Sequence, residues 1–303
     1  AGLFGDSDVM NLLNFYDTGS FFQPTDCVVP PDDEAYPAAR GPGGRFATSG
    51  GGDDPVSDFV LGQSGGTTPT YPARETHCNS RDVTDLGREA LQAIMDKRMV
   101  IDIDHAAYHS KTIMLDIADQ QTPAYPLVST HDAHGGLTRD QIARMLAAGG
   151  LIYPYKGNGE KHRDYLENVK LWRQDAAALP GSVINEQPLA LGYGADANGF
   201  GGHPGPRGSA SERPIQYPIR LFQGDGWPSH LRNLAPVILD LHTVEESGKF
   251  WHIDEVGMAH YGLVADFVEE VRLESGEEGL TALYNSAEAY VQMWERVYNR
   301  TTQ

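Results

Sequence analysis

From Asp82 onward the chain alternates between short apolar runs and longer stretches whose apolar residues recur every three or four positions. MVIDID (99–104) and YPLVST (125–130) are each of strand length, rich in branched residues and closed by a polar cluster, the pattern of buried parallel strands. Between them, AAYHSKTIMLDIADQQ places Ile113, Leu115 and Ile117 near one another at helical spacing, so strand, helix and strand follow as one βαβ unit. Ahead of the first strand, LGREALQAIMDKR puts Leu86, Leu91, Ile94 and Met95 on one helical face. After the second, Thr138 and Gln141 form a capping box at the head of QIARMLAAGG, whose closing glycines stop the helix. GGLIYPYKG reads as a further strand, a polar helix with Tyr165, Val169 and Trp172 follows, and PLALGYGAD is a strand ending on Asp196.

The remainder divides in two. Residues 1–75 are dominated by Gly, Pro, Asp and Ser and read as a loop region packed on the rest of the fold or on a partner chain, with DVMNLLNFYD as a short helix. Residues 76–303 carry the regular pattern and end in two amphipathic helices, HYGLVADFVEEVRLE and SAEAYVQMWERVY. The second is opened by Asn285 with Glu288 three residues on, and Tyr290, Trp294 and Tyr298 form an expected core stripe. NGFGGHPGPRGSASERP, immediately past the Asp196 strand, is a candidate active-site loop. The stretch from Trp227 to Ile253 has a mixed pattern that assigns no element. Regular alternation of strand and helix argues for a parallel α/β domain, either a barrel or an open sheet. No G-x-G-x-x-G or G-x-x-x-x-G-K-[ST] follows a strand, which removes support from a nucleotide-binding open sheet and favours the barrel.

Charge narrows the partners. The chain of 303 residues carries 42 acidic against 23 basic side chains, a net charge of -19, which repels phosphate backbones and anionic membranes. Nucleic acid is not an expected partner, and no apolar run approaches the roughly 20 residues of a bilayer helix. The first residue, Ala1, follows no charged leader and apolar core, so a secreted or periplasmic protein with its signal removed is expected. The two cysteines, Cys27 and Cys78, lack C-x-x-C spacing, which excludes a thiolate zinc site; they either pair as a disulfide or stay as two buried thiols.

The candidate chemistry lies at two strand ends. His105 and His131 each stand just past an apolar run, and in α/β folds reactive groups collect at the carboxyl ends of parallel strands. Neighbouring strands lie roughly 5 Å apart, so two such histidines can share one metal ion.

Four phrases, THCNSRDVTDLG, RMVIDIDH, YPLVSTH and LGYGADANG, resemble in order and spacing the membrane (renal) dipeptidase family of zinc amidohydrolase barrels. NGFGGHPGPR, GMAHYGL and AEAYVQMWERV are more similar still to large secreted bacterial relatives, and the resemblance runs from about Thr76 to the C-terminus. It implies a (β/α)8 TIM-barrel fold, a binuclear zinc centre at its mouth, and hydrolysis of an amide bond in a small dipeptide-like substrate. In that resemblance His105 and His131 match the two histidines on one zinc, Asp196 the aspartate that handles the proton, and His77 the histidine that steadies the developing oxyanion. Arg139 or Arg144 stands where the family's arginine grips the substrate carboxylate. The family's H-x-D pair and its bridging glutamate have no counterpart here. Three further strand and helix units at roughly 30 residues each would also need about 90 regular residues ahead of His77. The expectation is therefore a chain that supplies the C-terminal part of a barrel, with a second polypeptide, cut from a common precursor before Ala1, bringing the missing strands and ligands. The alternative is a metal-free barrel acting as a binding or scaffold subunit.

Overall fold

The computed structural model describes residues 7–26, 69, 78–131, 137–153, 157–194, 203–207 and 213–300. In chain order these form α1 (Ser7–Thr18), β1 (Pro24–Thr25), β2 (Cys78–Asn79), α2 (Asp85–Asp96), α3 (Tyr108–Asp119), β3 (Val128–Ser129), α4 (Arg139–Ala147), β4 (Leu151–Ile152) and α5 (Gly159–Ala177). After these come β5 (Ile219–Leu221), β6 (Val237–Leu239), β7 (His242–Val244), β8 (Lys249–Trp251), α6 (Ile253–Val256) and α7 (Val264–Tyr298).

The centre is a parallel arrangement. β3 pairs with β4 in parallel, Val128 opposite Leu151 and Ser129 opposite Ile152. On the other side of β3, Asp102 bridges Val128 in parallel; the Val128 N–H donates to Ile101 O and the Ile103 N–H to Val128 O, both at 3.0 Å. The segments at 101–103, 128–129 and 151–152 thus lie side by side with α3 and α4 as their connections, the order expected from hydrophobic spacing. Residues 188–194 run beside them, and Leu191 N–H donates to Ala282 O of α7 at 2.9 Å. The capping box at Thr138 and Gln141 is formed in both directions. The other sheets are two-stranded antiparallel pairs, β1 with β2, β5 with β6 and β7 with β8, and among the described residues no sheet closes into a barrel.

Two apolar cores result. The first packs Leu91, Met95, Leu115, Ile142, Met145, Leu166, Val169 and Trp172 from α2 to α5 against Ile101, Ile103 and Leu127. The second gathers Ile215, Ile219, Trp227, Ile253, Phe267 and Val271. α7 serves both, with Phe267, Val271 and Leu280 in the second and Ala282 and Val297 in the first, and it breaks at Gly276, whose φ of 60° and ψ of -153° are not helical.

Three expectations need correction. Asn285 does not open a helix: α7 resumes after Gly276, and the Asn285 amide, inside the helix, donates to Leu189 O at 3.0 Å. Tyr290, Trp294 and Tyr298 are not a core stripe but stand 40, 44 and 53% exposed, while Ala289, Met293 and Val297, one position earlier, are buried. One residue is a 100° turn of a helix, enough to move a stripe from the sheet face to the flank. Leu86 likewise points away, 74% exposed, while Leu91 and Met95 of the same helix are buried. The Trp227–Ile253 stretch, unassigned by its pattern, holds β6 and the β7–β8 hairpin. No helix among the described residues is long and apolar enough to cross a membrane.

Candidate metal centre

The site is built where the segment at 101–103 and β3 end. Asp102 and Asp104, two residues apart in extended chain, project to one side of their strand. Residues 103 to 106 then turn sharply, the Ala106 N–H donating to Ile103 O at 3.3 Å, with His105 at a left-handed φ of 60°. That backbone swings the His105 ring out of the strand direction and toward its neighbour. β3 continues through Thr130 to His131, and the two histidines meet: their Nε2 atoms are 2.7 Å apart and their ring centroids 4.7 Å.

The opposite edge of the His131 ring is held by acids. Its Nδ1 lies 3.1 Å from Asp104 Oδ2, and the same carboxylate oxygen accepts the His131 backbone N–H at 2.8 Å. Asp104 Oδ1 accepts the Ser129 hydroxyl at 2.5 Å. The Thr130 hydroxyl donates to Asp102 Oδ2 and stands 3.1 Å from His131 Nδ1 and 3.5 Å from Asp104 Oδ2. Asp102 also accepts the Asp104 N–H, at 3.0 Å.

Two donor sets are therefore available. Ligand atoms of Asp102, Asp104 and His131 lie within 4.8 Å of one another. The Thr130 hydroxyl stands among them within hydrogen-bonding distance of all three, so that side is closed by hydrogen bonds. The Nε2 side is different, because the two imidazoles meet there alone at 2.7 Å, a hydrogen-bonding distance at which one ring nitrogen donates and the other accepts. Imidazole suits zinc, copper, iron and nickel. An ion bonded to both at about 2.0–2.1 Å with tetrahedral angles holds its ligand atoms about 3.3 Å apart, so the rings need to separate by roughly half an ångström to fit one.

No protein-family model, curated protein or solved structure matches the chain.

Of the residues picked out by sequence, His105 and His131 are brought together. His77 and Asp196 lie outside the described residues, as does Cys27. Gly194, two residues before Asp196, packs on the site: a Cβ there would stand 1.9 Å from Thr130 O and 3.0 Å from His131 Cα, which is why only glycine fits. Arg139 and Arg144 both lie on α4 and have carboxylate partners, Arg139 with Asp175 at 2.6 Å and Arg144 with Asp116 at 2.7 Å and Asp119 at 2.8 Å. Asp102, Asp104, Ser129 and Thr130 were not singled out by sequence. The signal was present in D-x-D-H beside S-T-H, since residues at the same height on paired strands are neighbours across the sheet.

Proposed function

We propose that the chain is the metal-bearing part of a hydrolase that cleaves an amide bond in a small dipeptide-like substrate, with His105 and His131 holding a divalent ion, zinc by the chemistry of the donors. The convergence of the two Nε2 atoms at 2.7 Å carries this reading. When bound, zinc lowers the pKa of a coordinated water toward about 7 and so makes it a nucleophile at neutral pH. The chain's own residues do the rest. Asp196, two residues past Gly194, which packs against Thr130, accepts the proton of the attacking water and returns it to the leaving amine. His77 donates a hydrogen bond to the oxygen on which negative charge develops. The dipeptidase-like phrases supply these two assignments, and a (β/α)8 barrel completed by a second polypeptide supplies the frame, with the remaining ligands on that partner.

Metal analysis of the purified assembly tests the reading. Zinc or a similar divalent ion is expected, and His105→Ala and His131→Ala each lose most of it, because every ligand removed weakens such a site severely. Asp196→Asn is expected to keep the metal and the melting temperature while turnover collapses. Equal metal content in the parent and both histidine variants would sink the assignment.

A further inference from the structure

We propose that Asp104 is a positioning residue: it holds the Nδ1 proton of His131 and so presents the bare Nε2 lone pair to the cation shared with His105, a role that rests on the metal reading given above. Asp104 Oδ2 stands 3.1 Å from His131 Nδ1 as an ion-pair contact, while the hydrogen bond at Nδ1 is shared with the Thr130 hydroxyl. The carboxylate is an acceptor only, so its negative charge favours a ring that carries its proton on Nδ1. The Asp104 side chain is 2% exposed and is not free to turn away. The His131 backbone N–H and the Ser129 hydroxyl fix its two oxygens separately. Thr130 points the same way: its own hydrogen goes to Asp102, which leaves its oxygen to accept at Nδ1 from 3.1 Å. Both neighbours of Nδ1 thus favour the Nδ1–H form.

The economy lies in the sequence. Asp104 and His105 are adjacent, yet one is buried against the next strand and the other is turned outward by its left-handed backbone. The end of one strand therefore supplies a ligand and the group that orients the partner ligand. A carboxylate behind a metal-bound imidazole raises its basicity and fixes its ring, and loss of such a group typically costs 10–100-fold in metal affinity.

The test uses the full chain with any chain that co-purifies, first stripped of metal. Long-range proton–nitrogen NMR of the histidine rings near pH 8 is expected to find His131 with its proton on Nδ1 in the parent, a measurement that needs no variant. In Asp104→Asn the amide can offer a donor to Nδ1, so the proton shifts to Nε2 in part or wholly, and zinc affinity measured against a competing chelator falls 10–100-fold. Asp104→Glu, which keeps an acceptor, restores the Nδ1 proton. A parent with the proton on Nε2, or an Asn variant with unchanged tautomer and affinity, overturns the role of Asp104. A parent with its proton on Nδ1, and an Asn variant that switches tautomer as described, together with no zinc bound by either, overturns the metal reading while leaving the hold of Asp104 on His131 in place.

Discussion

The left-handed conformation of His105 costs a residue with a Cβ on the order of 1 kcal/mol relative to glycine. His105→Gly should therefore raise the stability of the fold by about that amount while abolishing zinc binding, a trade checked by urea denaturation beside metal titration. A variant less stable than the parent would mean that the ring packs in the fold. Two buried titrating groups set a second expectation. Glu270, 1% exposed, faces Arg207, Asp254 and Glu274, and burial pushes its carboxyl up to about 7 against the pull of the Gly159 N–H and Arg207. Its contribution to stability is present below about 4.5 and is lost as pH rises to about 7, a span on the order of 3 kcal/mol. His162, 3% exposed, is pushed down to about 4 by burial, so its contribution is present above 6.5 and is lost as pH falls toward 4. Asp266 and His260 are displaced in the same two senses. The opposed slopes nearly cancel in the parent. Glu270→Gln should therefore lose stability on acidification, and His162→Gln should lose it as pH rises; parallel urea-midpoint profiles at pH 4.5 and 7.5 for both variants would refute this.

Among elements, α7 joins the two cores and its break at Gly276 sets the angle between its halves. A Cβ at Gly276 meets nothing within 4 Å, but its φ of 60° and ψ of -153° lie in a region that glycine alone adopts readily, so Gly276→Ala should cost about 1–3 kcal/mol through the backbone. Gly194→Ala is a different case, since the added carbon collides with the Thr130 carbonyl. It should displace His131 and weaken metal binding at least tenfold, read by the same chelator competition; unchanged affinity would show that the strand end yields without moving the ring. Arg207, its side chain 0% exposed, is 2.7 Å from Asp254 and from Glu274 and 3.5 Å from Glu270. Removing one member of such a buried set leaves the others uncompensated, at a cost of about 3–5 kcal/mol.

At the scale of the molecule, three short parallel segments with no closure among the described residues stand beside exposed aromatic rings on α7. Trp294 stacks on Tyr298 at 5.0 Å, and both are open to solvent. The proposal of a second polypeptide requires that such segments be covered in the assembly, because parallel sheets are found with both faces packed and their edges protected. Expression of residues 1 to 303 alone should give a poorly cooperative, inactive chain, and native mass spectrometry of the source assembly should find a second chain bound. A monodisperse, cooperatively melting and active single chain would remove the partner from the picture.

Hydrophobic spacing alone determined the order of strand, helix and strand from 99 to 130, the capping box at Thr138, and the two histidines at strand ends, because each depends on neighbours within a few residues. Tertiary structure decided the rest. Which face of α7 is buried turned on a 100° choice that Ala289 and Tyr290 make equally plausible in one dimension, and the sheet settled it in favour of the smaller residue. The hold of Asp104 on His131 joins residues 27 positions apart, and the left-handed turn that brings His105 to the same place carries no glycine to announce it. Such features depend on strand register, which places side chains together only after the chain has folded.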